Sequence, residues 1–261
     1  MRNLTKRTLV VAAVCVSGAC APQEDVAPIF QSAPWIQWET YRGVDAPAFG
    51  EFFEMLQENY SASYGAGWSI YGENPTVAYR ATALPDGWQS VESIGQERMA
   101  VFQQFNSEQV DLFNRAWSSR HTALYRAAPE QSVVPENFTV ADIQALPYHR
   151  VSIYRLKRTE ATAFGEALAA RAALDREAGI ENFVLTTWWG GLGTARPTVM
   201  LRVAAESRAA DVGANFEARR AAREPYMDEF RTLTGIMNAS AWHIERHDQF
   251  RNSELSFVPG S

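Results

Sequence analysis

"PTVAYR" at 75–80 and "PTVMLR" at 197–202 write Pro-Thr-Val-x-x-Arg twice, 122 positions apart, in a chain of 261 residues. Other matches keep the same order: "YR" at 41–42 and 154–155, "AFGE" at 48–51 and 163–166, and His121 against His243. Their offsets grow from 113 to 122 along the chain, as they would in a duplicated unit with insertions in its loops.

Each half reads in the same order. "WIQWETYR" (35–42) alternates like a strand. Asp45 suits a helix N-cap, with Pro47 in the first turn, and Phe49, Phe52, Phe53 and Leu56 fall on one helical face. "GWSIY" and "PTVAYRA" read as strands around a "GENP" turn, then come helical stretches at 91–105 and 107–117, and "HTALYR" closes the half. The second half repeats this with "HRVSIYR", a helix capped by Thr159, a hairpin of "NFVLTTWW" and "PTVMLRV", helices of which the last starts near "EPYMDEFRTL", and "AWHIERH". The pattern is α+β: two tandem ferredoxin-like βαββαβ units, at 34–126 and 148–248. Residues 20–33 form a tether, 127–147 a proline-containing linker and 249–261 a tail.

In this order of elements the chain resembles the dimeric α+β barrel proteins, among them the NIPSNAP group and the antibiotic-biosynthesis monooxygenases. "IYRLKRTEATAFGEAL" (153–168) is similar to the NIPSNAP opening of strand, basic turn and helix. The resemblance implies two sheets face to face around a pocket, here an intramolecular dimeric α+β barrel whose linker replaces dimerisation. It matches no catalytic signature, so no functional residue is carried over from it.

Strand alternation sorts the side chains. Val151, Ile153, Val199, Leu201, Val203, Trp242 and Ile244 are expected against helices. The opposite face, expected to line the barrel, collects Glu39, Tyr41, Arg80, His121, Tyr125, Arg150, Tyr154, Arg202, His243, Glu245 and His247. Charge on that scale inside a barrel has to be paired or has to meet a ligand or water.

Those residue types suit acid–base chemistry. Histidine is the side-chain type that can act as acid or base near neutrality, and Glu245 can orient or charge one, so His243, Glu245 and His121 are the candidate catalytic set. Tyr41, Tyr125 and Tyr154 can donate to a carbonyl or stack on a ring; Arg80, Arg150 and Arg202 can hold a carboxylate; His247 completes the ligand-binding set. The functional expectation is a small-molecule-binding barrel, a cofactor-independent isomerase, cyclase or oxygenase working on a small aromatic or acidic compound. The alternative is a non-catalytic structural or interaction lipoprotein of the cell envelope. A metal on "HIERH" is disfavoured, because His243 and His247 would stand ~13 Å apart along a strand. A haem rests only on relatives of the same fold. No cofactor is expected, with haem and metal left open.

"MRNLTKRTLVVAAVCVSGAC" has a basic start, an apolar run too short to span a bilayer and small residues before Cys20, the layout of a signal peptide over 1–19. "VSGAC" resembles a bacterial lipobox, which makes Cys20 the lipidation site and membrane anchor of an exported protein facing the periplasm; ordinary cleavage near "ACA" would leave a soluble periplasmic or secreted protein. The only cysteines are Cys15 and Cys20, so a cysteine nucleophile and an internal disulfide of the mature chain are excluded. Residues 1–19 carry three positive charges and no acid, which puts the remainder near −9 against −6 for the whole chain. An acidic chain without a basic run is a poor nucleic-acid binder.

Overall fold

A computed structural model describes residues 26–180, 183–195 and 197–259. The expected signal peptide, Cys20 and most of the tether lie outside the described residues.

The first half runs α1 (Pro28–Ser32), β1 (Trp35–Arg42), α2 (Ala46–Tyr60), β2 (Trp68–Asn74), β3 (Val77–Leu84), α3 (Trp88–Phe102), α4 (Ser107–Ala116) and β4 (Ser119–Ala127). After α5 (Val140–Ala145) come β5 (Tyr148–Leu156), α6 (Ala161–Glu177), β6 (Val184–Gly190), β7 (Thr198–Ala205), α7 (Arg208–Val212), α8 (Ala214–Ala222), α9 (Met227–Ser240) and β8 (Ala241–Phe257). The eight strands close into one barrel in the order β1-β3-β2-β8-β5-β7-β6-β4, antiparallel throughout. Within each half the strands follow one order, fourth-first-third-second, and the halves join along the β2–β8 and β4–β6 seams.

Local chemistry accounts for the helix starts. The Asp45 carboxylate accepts from the Ala48 amide at 3.1 Å, and Pro47 sits in the first turn of α2. Asn106 and Gln109 form a reciprocal capping box at α4, as Thr139 and Asp142 do at α5. Thr159 caps nothing: a turn of 3-10 helix at Arg158–Glu160 leads into α6, which starts at Ala161. The last strand runs to Phe257, past the 248 expected, because its far half pairs with β2 after its near half has paired with β5.

The outer face of the β1–β4 sheet packs on α2 through Tyr41, Phe49, Phe52, Phe53, Leu56 and Trp68. The second half does the same with Tyr154, Phe164, Leu168, Leu201, Val203 and Met237. The lumen of the barrel is filled from both halves by Ile36, Trp38, Tyr71, Tyr79, Tyr125, Val151, Trp188 and Met200.

This arrangement corrects several sequence expectations. Tyr41 and Tyr154 do match, but both face the helices, not the lumen; Val151 faces the lumen, and Ile153 packs with it. A sheet covered on both faces carries apolar residues on both, so apolarity alone cannot say which set is inside. The repeated hexapeptide is also out of step. Tyr41 stands opposite Ala78 and Tyr154 opposite Val199, so Arg80 lies two residues beyond the match and Arg202 three. A one-residue slip changes the face: Arg80 projects toward the helices beside Glu39, and Arg202 into the lumen. His121 stands opposite Thr40 and Glu245 opposite Ile153, so the counterpart of His121 in this register is Glu245, not His243.

Candidate functional site

Between the outer face of β1 and β3 and helices α2, α3 and α4 lies a cavity of about 470 Å³. Phe52, Tyr64, Phe102, Phe105, Phe113 and Trp117 contribute to its walls. At its sheet side Glu39, 1% exposed, receives Nε and Nη2 of Arg80, with Arg98 Nη1 at 3.3 Å and Arg120 Nη1 at 3.7 Å. Arg80 comes from the strand paired with β1, Arg98 from α3 and Arg120 from β4, so three elements aim cations at one carboxylate. The excess is two positive charges in an aromatic-walled space.

The electrostatics follow from that count. Burial pushes the Glu39 carboxyl up, but Arg80, Arg98 and Arg120 outweigh it and hold the group below the ordinary value of 4.5. Burial, with Arg80 beside it, lowers Arg98 to about 10. Burial pushes the Tyr41 hydroxyl up to about 12, so it stays protonated as a donor. Such a site stabilises a negative charge arriving on a flat apolar body. Glu39, held ionised, is a weak base.

A second cluster occupies one mouth of the lumen, around a cavity of about 380 Å³. The Tyr79 hydroxyl donates to Glu73, whose Oε1 lies 2.9 Å from Nδ1 of His247. His247 Nε2 is 3.6 Å from Glu245, and Arg155 Nε donates to Glu245 Oε1 at 2.8 Å. Burial pushes the Glu245 carboxyl up, and Arg155 and the two histidines more than cancel it, so its pKa is lowered. His121 and Tyr125 line the same cavity; burial pushes the Tyr125 hydroxyl up to about 12. His243 is half-exposed at the rim, 3.5 Å from Glu245. His121 Nε2 lies 2.7 Å from the carbonyl oxygen of Gly193, whose positive φ and close approach to Thr122 suit no other residue.

The sequence-derived set is therefore divided. His121, Tyr125, Glu245 and His247 meet at the lumen mouth, with His243 at its edge. Tyr41 and Arg80 belong to the sheet–helix cavity. Arg150 is outside the lumen, paired with Asp211 at 2.7 Å beside α7, and Tyr154 packs on Phe164 under α6. Arg202 is inside the lumen, on the rings of Trp38 and Tyr71. Arg98, Arg120, Glu73, Tyr79 and Arg155 were not foreseen. Arg98 left a signal: it interrupts the stripe Val91, Ile94 and Val101 on α3, and an arginine on a buried helical stripe needs a partner.

The sheet–helix cavity offers haem no imidazole or thiolate ligand, since its lining holds neither histidine nor cysteine, and its Tyr41 and Tyr64 are shifted by burial toward the neutral form, the wrong state for a phenolate ligand. The equivalent layer of the second half is filled by Tyr154, Phe164, Leu168 and Met237. Among the described residues no three of His, Cys, Asp and Glu are placed to share a metal ion. Nor is any helix among them long and apolar enough to cross a membrane.

No protein-family model matches the chain, and no curated protein does either. Solved structures do match in fold. An anthrone oxidase-like protein aligns with TM-score 0.57 at 11% identity over 87% of this chain and 94% of its own. A monooxygenase-like protein from Fusobacterium nucleatum aligns with TM-score 0.52 at 9% identity over 84% of this chain and 93% of its own. A chlorite dismutase from Candidatus Nitrospira defluvii, solved with cyanide, aligns with TM-score 0.48 at 10% identity over 85% and 92%. These neighbours are dimeric α+β barrels, and at such identities the likeness speaks for the fold alone.

Proposed function

We propose that this closed eight-stranded α+β barrel is a small-molecule-binding protein that takes an aromatic anion, a phenolate or an aryl carboxylate, in the cavity between β1, β3 and α2–α4. One observation carries the reading: Arg80, Arg98 and Arg120 converge on the single carboxylate of Glu39 inside aromatic walls, which leaves positive charge over for a guest. An apolar ring system replaces water against Phe52, Phe113 and Trp117, and its anionic edge meets the guanidiniums.

The same arrangement supports catalysis without a cofactor. Guanidiniums that stabilise an enolate or phenolate lower the barrier to forming it. An electron-rich anion of that kind is the species that isomerases rearrange and that reacts with dioxygen in oxygenases needing no cofactor. The fold neighbours described as anthrone oxidase-like and monooxygenase-like agree with an oxygenase. The Tyr79–Glu73–His247–Glu245 chain at the lumen mouth favours a second reading, acid–base catalysis by the histidine set.

The common strand order of the two halves supports an origin by tandem duplication of a ferredoxin-like unit. The leader before Cys20 supports export and anchoring by a lipid on that cysteine.

Calorimetric titration with salicylate and with anthrone, alongside oxygen uptake, tests the function. The expected result is saturable binding that falls on Arg98→Gln and Arg120→Gln, and oxygen uptake with anthrone if the site is an oxygenase. Binding that ignores both substitutions refutes the cavity; binding without oxygen uptake removes the oxygenase reading alone.

A further inference from the structure

Arg202 of β7 is 4% exposed, and its Nε and Nη2 find no hydrogen-bond partner in the protein. No carboxylate among the described residues lies within ion-pair distance of it. Its guanidinium packs instead on two rings, 4.9 Å from the Trp38 centroid and 4.8 Å from that of Tyr71. His149, within electrostatic reach of Arg202, gives no relief: burial, reinforced by Arg202 itself, lowers its pKa well below the ordinary histidine range. Ring faces offset only part of the cost of burying a cation.

Arg202 also lines a cavity of about 300 Å³ at the end of the lumen covered by α1 and α5. This space is distinct from the Glu39 cavity on the other side of the barrel wall; the two share no lining residue. Its walls are mostly hydrocarbon, from Ile36, Ala81, Ala83, Ile143 and Phe257. The alanines make the room. Ser69 and Gln144 are on the wall too, and there the Gln144 amide donates to the Ser69 hydroxyl at 3.3 Å.

We propose that this cavity is a second ligand site, which takes an apolar monocarboxylate with its head on Arg202 and its aliphatic body among the alanines. A lone guanidinium balances one negative charge, which disfavours a phosphate dianion. Its planar donors match a carboxylate. The hydrocarbon walls reward an aliphatic chain and reject a sugar or a polyol.

Titration of the purified chain with octanoate, and with 1-octanol as the uncharged body of the same length, tests the site. Octanoate should bind one per chain and raise the melting temperature, with 1-octanol at least about tenfold weaker. Arg202→Met should weaken octanoate by at least about tenfold and leave 1-octanol unchanged. Ala83→Leu keeps the charge and fills the space, so it should lose both ligands; it decides the matter if Arg202→Met fails to fold. Arg98→Gln, in the other cavity, should bind octanoate like the parent. The proposal fails if millimolar octanoate does not bind, if 1-octanol binds as tightly, or if Ala83→Leu or Arg202→Met retains octanoate. It fails equally if octanoate binding depends on Arg98, which would place the ligand in the Glu39 cavity.

Discussion

Arg80 and Arg202 end two near-identical hexapeptides and stand on opposite faces of the barrel wall, Arg80 bound to Glu39 under the helices and Arg202 between Trp38 and Tyr71 in the lumen. The same residue type meets two fates because the two strands are one residue out of step relative to their tyrosine markers. A paired cation and an unpaired one respond differently to removal.

Glu39→Gln leaves Arg80, Arg98 and Arg120 facing one another without a counter-charge. The expected loss in denaturant unfolding at neutral pH is about 3–5 kcal/mol. Arg80→Met should cost less, because Arg98 and Arg120 still reach the carboxylate. The reverse ranking would mean that Arg80 acts mainly through its packing near Phe53 and Trp68.

The stability that Glu39 confers depends on pH in a defined direction. Its folded pKa lies below 4.5, so the contribution is complete above that value and is lost as pH falls through the lower folded value. The gap in stability between the parent and Glu39→Gln should therefore be widest near neutrality and close in acid. Unfolding curves taken from pH 7 down to pH 3 measure it.

Arg98 gives the opposite limb. With its pKa lowered to about 10, it sheds its proton there in the ligand-free protein, and affinity for an aryl carboxylate should fall as pH rises through that region. The free fold gains stability over the same rise, because the unfolded chain holds that proton to higher pH. Titrations on either side of pH 10 should show the fall in the parent and a flatter profile in Arg98→Gln.

At the lumen mouth the histidines separate by burial. His247→Ala removes one of the two partners of Glu73, the Tyr79 hydroxyl being the other, in a half-buried setting, and should cost about 1–3 kcal/mol. His243 is half-exposed, so His243→Ala should move stability by no more than about 0.5 kcal/mol. If turnover nevertheless disappears in His243→Ala, the acid–base reading gains over the Glu39 cavity.

Much of the architecture could be read in advance from local chemistry: Asp45 and Pro47 mark the start of α2, the stripe from Phe49 to Leu56 marks its buried face, and "WIQWETYR" and "HRVSIYR" mark β1 and β5. Strand alternation puts His121 with Tyr125 on one face of β4 and Glu245 with His247 on one face of β8; that the two pairs line one mouth follows from the barrel register, not from the sequence. The side of Tyr41, Arg80, Arg150 and Tyr154 was not legible either. Alternation divides a strand into two faces without naming the inner one, and here Trp38 fills the lumen while Tyr41 fills the helix layer. The stripe on α3 marks Arg98 as needing a partner, but that Arg98 and Arg120 both meet Glu39 depends on how α3 and β4 dock, a contact between residues far apart in sequence.

The segment at 127–147 joins both halves of the barrel covalently. Closure is then a first-order event, indifferent to dilution, whereas a barrel assembled from separate chains comes apart as concentration falls. A tether also releases the halves from identity. Partners that are copies of one gene product must carry the same helix–sheet layer, hollow or solid, on both sides. Here one side holds the Glu39 cavity and the other packs Phe164, Leu168 and Met237 into a buried cluster. The register puts Ser152 where Glu39 stands in the first half, so the proposed Glu39 site has an expected stoichiometry of one guest per barrel, which a calorimetric titration counts.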